Sequence, residues 1–350
     1  MNDPGATLGV ALVGYDGAGT QNHQLDMYEP AFLTHPRFSI RAVTDTADVS
    51  DERRRLSQSA AQRLDVPYIE DPAEALARSD VAVASICVGF GRRVEVVELA
   101  AQNGVHVLVD KPMALRLEEI DEIERTVSRE QIICVPAHHH RFLTSVRRTR
   151  TALQEGIIGE LLGVHADFIV TTGATRQAAD QPEVWPLGEV MNFAVYPIDV
   201  VRYLTGSEVV TVHGACGGFF FGGDEDEDLG VLSLTLEHDV IATMSIARTP
   251  LTGHPSGGQH RYRIIGSDGV LLLDTKEPSM RLADADGNRW SPFPTLPNSV
   301  SGLLDGFAEA VDTGGPTDLG PGDARAALAT TLAARRSSAE HRVIDVTPST

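Results

Sequence analysis

Cysteine is scarce, with three in 350 residues, Cys87, Cys134 and Cys216. None forms a CxxC pair and each sits in or beside an apolar run. They read as buried free thiols in a reducing compartment, not as a disulfide framework. Basic residues are also in deficit. Lys and Arg number 29 against 49 Asp and Glu, a formal net charge of −20. Such a chain repels phosphate backbones, so nucleic-acid binding is not expected. No apolar run reaches the ~18 residues of a spanning helix. The opening MNDPGAT lacks a basic stretch followed by an apolar one, so no secretory leader is expected there. The expectation is a soluble, cytoplasmic protein with no membrane partner. What is present is an ordinary globular balance, 42% hydrophobic and 22% charged, which excludes collagen-like and disordered chains. At roughly 150 residues per domain the length suggests two domains, large enough to need no disulfide or metal staple.

The first third alternates strand-like and helix-like segments. Leu8–Val13 (LGVALV) is an apolar run ending in a glycine-rich stretch, 14–19. Residues 21–34 read as a helix stopped by His35-Pro36, and Phe38–Thr44 (FSIRAVT) as a second strand ending at Asp45. Helices follow at Asp51–Leu64, 72–77, 93–103 and Leu117–Arg129, alternating with strands at 66–69, 81–88, 105–109 and 131–136. Strands alternating with helices imply a parallel sheet covered on both faces. After about residue 137 the pattern changes. One helix, 143–155, precedes longer strands at 162–171, 209–214, 230–237, 240–247, 261–266 and Gly269–Asp274, several joined by short turns. This predicts a largely antiparallel sheet with a few helices, the last at 300–312 and 321–338. The aromatic and acidic run GGFFFGGDEDED, 217–228, reads as a solvated hairpin loop, since its spacing does not fit a calcium loop.

A strand, then Gly14-Tyr15-Asp16-Gly17-Ala18-Gly19, then a helix is the context of a dinucleotide-binding turn. The first glycine permits the tight bend, and the helix N-terminus presents free N–H groups to a pyrophosphate. Asp16 stands where the fingerprint's second glycine belongs, putting a side chain and a negative charge near the diphosphate. Asp45 closes the second strand 26 residues after Gly19, somewhat beyond the usual ~20. A carboxylate there can accept both ribose hydroxyls of NAD and repel a 2′-phosphate; it can equally be an ordinary turn acid. Thr44 and Thr46 bring no positive charge for a 2′-phosphate.

The segment NGVHVLVDKPMAL, 103–115, resembles the signature of the glucose–fructose oxidoreductase/inositol dehydrogenase/MocA family, usually (A)GKHVxxEKPxA, with Asp110-Lys111-Pro112 for Glu-Lys-Pro. His140-Arg141-Phe142, a helix and then Gly156-Ile157-Ile158-Gly159 are similar to the family's entry into its second domain. Trp185, Gly188 and MNFAVYPIDVVRYL, 191–204, resemble its second motif, GGGxxxDxGxHxxDxxRxL, and 332–346 its final helix and strand. The resemblance covers nearly the whole chain. It implies an α/β protein: a Rossmann domain with a doubly wound parallel sheet, 1–136, then an α+β substrate and oligomerisation domain, 137–350, with a large, mostly antiparallel open sheet that often mediates dimers or tetramers. It also implies NAD or NADP as cofactor, and hydride transfer to or from a carbinol or ketone of a sugar, cyclitol or polyol.

Lys111 sits at the end of a parallel strand, where open α/β sheets place ligands. A lysine there can donate a proton or hydrogen bond to the oxygen of the carbon that exchanges hydride, though it can also be a surface lysine. The resemblance gives Tyr196 the proton-relay position, usually His; a core tyrosine is the plain alternative. Asn192 stands where the family has Asp, and an amide can orient a hydroxyl but cannot act as a base. Asp199 lies about one helical turn beyond Tyr196, as substrate ligand or as helix-face acid. Val88, Gly89 and Phe90 replace the family's Thr-Pro-Asn run, with Arg93 at its His position. Phe90 packs on the cofactor, or Arg92 or Arg93 meets a phosphate or acidic substrate, or the loop is simply exposed. Asp110 joins the cofactor set. His138, His139 and His140 lack metal-helix spacing; on a strand they would alternate faces, so no metal is expected. His140 and Arg141 are candidates for the substrate site, and Trp185 for an aromatic wall or the core. Against the dehydrogenase reading stand a dinucleotide-binding sensor without turnover and redox-neutral chemistry on tightly held NAD. Retention of Lys111 and Tyr196 argues for turnover.

Overall fold

The computed structural model describes residues 5–15, 22–171, 187–220, 227–250, 258–276, 279–284, 287–292 and 299–346. They divide into two compact units. The first comprises the described residues of Met1–Ala137 and Asn298–Arg325, the second those of His138–Asp180, Pro186–Pro297 and Ala326–Thr350. A single cut at 136/137 would assign all of 298–325 to the second unit. Instead the helix after Asn298 packs on the first, for reasons given below.

The first unit is built on β1 (Leu8–Val13), α1 (Glu29–Thr34), β2 (Phe38–Thr44), α2 (Asp51–Leu64), β3 (Tyr68–Ile69), α3 (Pro72–Leu76), β4 (Val83–Ile86), α4 (Arg93–Gln102), β5 (His106–Val109), α5 (Leu117–Arg129) and β6 (Cys134–Pro136). The strands form one sheet in the order β3-β2-β1-β4-β5-β6, every pair parallel. β1 and β4 are buried along their whole length, as strands covered on both faces must be. α2 begins on Ser50, whose side chain accepts from the Arg53 amide, and ends on Asp65 in the left-handed region at φ 54°. These are the expected cap and stop. The helix expected over 21–34 differs: a π-type turn, Gln24–Tyr28, runs directly into α1.

The second unit contains α6 (Thr144–Gln154), β7 (Leu161–Val170), α7 (Glu189–Phe193), α8 (Val195–Thr205), β8 (Val209–Gly217), β9 (Leu229–Leu236), β10 (Ile241–Arg248), β11 (Gly258–Gly266), β12 (Gly269–Asp274), β13 (Ser279–Asp284) and β14 (Gly287–Pro292). After α9 (Ser299–Thr313) and α10 (Pro321–Glu340), β15 (Ile344–Asp345) completes an open sheet of nine strands, β14-β13-β12-β11-β7-β10-β9-β8-β15. Among the described residues β7 and β10 pair in parallel and the other pairs of this sheet are antiparallel. Along β9, Gly230, Leu232, Leu234 and Leu236 are buried while Val231, Ser233 and Thr235 are exposed, the alternation of a sheet with one covered face. α6, α7 and α8 pack on that covered side.

α9 belongs to the first unit because its partners are there. Phe307 stacks on Phe38 at 6.4 Å, and Asp312 takes a bidentate pair from Arg37 at 2.9 Å on both oxygens.

At the end of β1 the chain turns on Gly14, whose amide donates to the Thr44 carbonyl. Its φ is +79°, and a Cβ there would lie 2.7 Å from the Cys87 carbonyl oxygen. Both facts demand glycine. Gly14→Ala is expected to cost about 1–3 kcal/mol through overpacking and backbone strain, measured as a lower urea midpoint at unchanged m-value.

Candidate functional site

In the first unit, the site residues stand at the C-terminal ends of the parallel strands. Gly14 follows β1, Asp45 follows β2, Val88 and Gly89 follow β4, and Asp110 and Lys111 follow β5. Asp16, Gly17, Ala18 and Gly19 lie outside the described residues. The residues that flank them are tied down: the Tyr15 carbonyl accepts from Asn22 Nδ2 at 2.7 Å and from Arg53 Nη1 at 3.2 Å. The buried Tyr15 hydroxyl donates to Glu29 at 2.6 Å, and Glu29 is held in turn by Arg63. Burial, then the Glu29 hydrogen bond and charge, push the Tyr15 phenol well above its ordinary range.

Asp45 is fully buried. Ser57 donates to its Oδ1 at 2.8 Å and Tyr68 to its Oδ2 at 3.2 Å. These two bonds fix the orientation of the carboxylate at the end of β2. Arg54, the nearest cation on that hydroxyl, is spent on Tyr68 and the Ala47 carbonyl.

Asp110 does not reach outward as a cofactor ligand would. It has no exposed surface. Its carboxylate accepts from His23 Nδ1 at 2.9 Å, from the Tyr28 hydroxyl, and from Arg93 Nη2 at 3.3 Å. Burial alone would raise its pKa, but His23, Arg93 and Lys111 overcome this and hold the carboxyl well below the usual range. Asp110 is an anchor inside the fold, set one residue before Lys111. Lys111 itself is 1% exposed, and the Lys111–Pro112 bond is cis.

Arg93 corrects a sequence expectation. It is buried and meets protein carbonyls, not a phosphate or an acidic substrate. Nε donates to Val88 at 3.1 Å, Nη1 to Asp110 at 2.6 Å and to the Pro112 carbonyl. It thereby ties the loop after β4 to the loop after β5. Arg92 is likewise committed, to Asp48 at 2.9 Å and Glu95 at 2.7 Å. Phe90 opens a 3-10 turn, Phe90–Arg92, with the Arg93 guanidinium 4.3 Å over its ring. Gly89 is exposed and Val88 buried.

In the second unit, the three histidines do not lie on a strand. His139 and His140 sit in a 3-10 turn, His139–Phe142, preceded by His138. The turn packs on α8. Arg141 and Asp199, each expected to meet substrate, meet one another. Nε donates to Oδ2 at 2.9 Å and Nη2 to Oδ1, with both side chains at most 5% exposed. Burial would raise Asp199, but Arg141 and His138 keep it well below the usual carboxylate range. They form a positioning pair that fixes the turn against α8.

Tyr196 is buried, its hydroxyl 3.3 Å from His139 Nε2. The His140 ring stacks on Tyr196 at 4.3 Å and 22°. Phe168 of β7 stacks on both Tyr196, at 5.7 Å, and His260 of β11, at 3.8 Å. Burial, with the charges of Lys276 and His139, pushes His260 down to about 3. Asn192, also buried, donates to Glu189 at 3.1 Å, and the other Glu189 oxygen accepts from Arg248 at 2.6 Å. Trp185 lies outside the described residues.

Four contributors escaped the sequence reading. His23 and Tyr28 are five apart, which an α-helical template separates but a π-type turn brings to one face. His139 was masked by its histidine neighbours. Glu189 carries no motif signal of its own in the sequence. Among the described residues no group of three or more His, Cys, Asp or Glu could hold a metal ion, and no helix is long and apolar enough to cross a membrane.

A parallel sheet ordered 3-2-1-4-5-6, with a glycine bend after its first strand and a carboxylate after its second, defines the class: an α/β protein that carries a dinucleotide at the topological switch between β1 and β4. The chain belongs to the Gfo/Idh/MocA oxidoreductase family. Residues 8–138 match the oxidoreductase family with NAD-binding Rossmann fold, and residues 146–272 the GFO/IDH/MocA C-terminal domain. It is 24% identical over 307 residues to the myo-inositol 2-dehydrogenase of Thermotoga maritima, spanning 85% of this chain and 89% of that one. Among solved structures, an oxidoreductase domain protein from Kribbella flavida superimposes with a TM-score of 0.83 at 17% identity, over 98% of this chain and 100% of that one. Levoglucosan dehydrogenase, solved with NADH and L-sorbose, gives 0.82 at 18%, over 98% and 99%. At these identities the two structures establish the fold.

Arg93→Met would leave Asp110 buried opposite fewer cations, at an expected cost of about 3–5 kcal/mol at pH 7. Asp110 is depressed in the folded state, so its contribution is full above the unfolded carboxylate value of about 4 and is lost as pH falls through the folded value. Urea unfolding across pH should therefore show the Arg93→Met deficit largest near neutrality and shrinking in acid. A deficit independent of pH would assign the cost to packing alone.

Proposed function

We propose that the protein is an NAD-dependent dehydrogenase or reductase acting on a CH–OH group of a sugar, cyclitol or related polyol. The observation that carries this reading is Lys111, buried at the C-terminal end of β5 directly after the Asp110 anchor. When bound, NAD accepts or returns the hydride. Lys111 donates a hydrogen bond to the oxygen at the reacting carbon and stabilises the charge that develops on it. Tyr196 exchanges that oxygen's proton. Gly14 and residues 16–19 would hold the diphosphate, Asp45 the ribose hydroxyls, and Val88 to Phe90 the nicotinamide side. His140 and Asn192 would meet substrate hydroxyls, with Trp185 as a wall for the ring. Arg141 and Asp199 act through the turn they fix.

A negative Asp45 with Arg54 already engaged favours NAD over NADP. Fluorescence titration should show NADH binding at least tenfold tighter than NADPH. Lys111→Ala should lower turnover by roughly 10²–10⁴ on whichever member of a cyclitol and aldose panel, beginning with myo-inositol and NAD+, proves to be a substrate, with the fold intact by circular dichroism. Turnover near wild type would remove the catalytic assignment and leave a binding protein.

Among the described residues nothing covers one face of the nine-stranded sheet, where Val231, Ile241 and Leu272 are between 39% and 57% exposed. A concavity of about 620 Å³ on it is bordered by His165, Asp167, Arg261 and Arg263. A homodimer or homotetramer built on this face is part of the same reading. Sedimentation velocity at micromolar protein should find no monomer peak, and a monomer there would exclude it.

A further inference from the structure

We propose that His139 is the proton partner of Tyr196: a relay in which the phenol passes its proton to the His139 imidazole during oxidation and recovers it during reduction. The inference rests on the reading of Tyr196 as the proton-exchanging group. It is carried by the juxtaposition of the Tyr196 hydroxyl and His139 Nε2, 3.3 Å apart and both buried.

A phenolate walled by rings is poorly solvated. Tyr196 is surrounded in that way by His140 and Phe168. It can take a proton from substrate only by handing its own to a base within hydrogen-bond reach. His140 is closer in centroid distance, but it lies nearly parallel to the phenol, at 22°, and so offers its face. His139 lies edge-on at 72°, which directs a ring nitrogen at the hydroxyl. With Nε2 as acceptor, Nδ1 carries the hydrogen.

The step balances. In oxidation the substrate C–H bond breaks with its electron pair, the hydride passing to NAD+. The substrate O–H bond breaks and its proton goes to the Tyr196 oxygen. The Tyr196 O–H bond breaks and its proton goes to His139 Nε2. Ketone, NADH, a re-protonated Tyr196 and an imidazolium result, and the imidazolium releases its proton to solvent after product leaves, regenerating the neutral pair.

The surroundings suit an imidazole that must gain and lose charge. On α8, Asp199 is neutralised by Arg141 from the same turn, and His138 stands 3.5 Å from Asp199. On β11, His260 is held neutral by burial, and Tyr262 is buried with its phenol pushed up by desolvation. Lys276, itself lowered by burial, is the remaining cation whose charge is felt there, through His260.

Two variants separate relay from scaffold. His139→Gln keeps a side-chain oxygen to accept from Tyr196 but cannot take the proton; His139→Phe removes both. With the substrate found as above, both should lower kcat by roughly 10–10²-fold with KM within about threefold. Both should also abolish the imidazole limb on the acid side of the kcat profile for oxidation, while NADH affinity stays unchanged. His139→Gln with wild-type kcat and an intact acid limb would overturn the relay. Independently of turnover, ¹⁵N-histidine spectra should show the Nε2 resonance assigned by loss in His139→Gln moving in Tyr196→Phe, and an unmoved resonance would overturn the bond. If that resonance moves but Tyr196→Phe turns over at the wild-type rate, the relay falls because the dehydrogenase role of Tyr196 has fallen, with the bond itself shown to exist.

Discussion

A carboxylate with no exposed surface is costly to bury unless its charge and its lone pairs are matched, and Asp110 is such a group at the end of β5. Much of the first unit is arranged to meet that requirement. The π-type turn before α1 brings His23 and Tyr28 to the carboxylate. Arg93, from the start of α4, closes the third side and spends its remaining donors on Val88 and Pro112. One charge therefore ties three loops together at the edge where open α/β sheets bind ligands. Lys111, next in the chain and itself 1% exposed, follows directly on that anchor. In this chain the acid of the motif is thus a structural demand, met by an imidazole, a hydroxyl and a guanidinium that reach in from elsewhere.

The second unit repeats the device. Asp199 is buried, bidentate to Arg141, and one helical turn from Tyr196. Removing either partner would strand a charge in the interior, so the turn bearing His139 and His140 is held to α8 by electrostatics as well as by ring packing. Aromatic pairs of this kind contribute about 0.5–1.5 kcal/mol each beyond area burial. Several interlock here, which keeps the phenol and the imidazole in one geometry. A neutral His260 stacked on Phe168 completes the wall without adding a competing charge.

The fold was legible because its signals are local and periodic. The buried apolar runs of β1 and β4, the alternation along β9 and the glycine bend at Gly14 each follow from a few consecutive residues. The Lys111 and Tyr196 motifs were legible through resemblance. What escaped was long-range or depended on backbone type. Nothing in the sequence pairs Arg141 with Asp199, 58 positions away, or turns Arg93 inward to carbonyls. A helical template of 3.6 residues per turn cannot place His23 and Tyr28 together. The histidine run was treated as a strand, where alternation would have separated His139 from His140; the 3-10 turn instead brings both against Tyr196 in different orientations.

Asn192 shows how a departure from a motif can be absorbed. Read alone, it removes a carboxylate from the helix turn before Tyr196. The structure supplies one three residues earlier, where Glu189 accepts from the Asn192 amide and is clamped by Arg248. The charge is displaced by one helical turn and is balanced there by Arg248. A carboxylate paired to a guanidinium is a weak base, so Glu189 orients the Asn192 amide and does not replace the missing carboxylate as a base. His139 Nε2 stands 3.3 Å from the Tyr196 hydroxyl, so in the proposed relay proton exchange is separated from hydroxyl recognition.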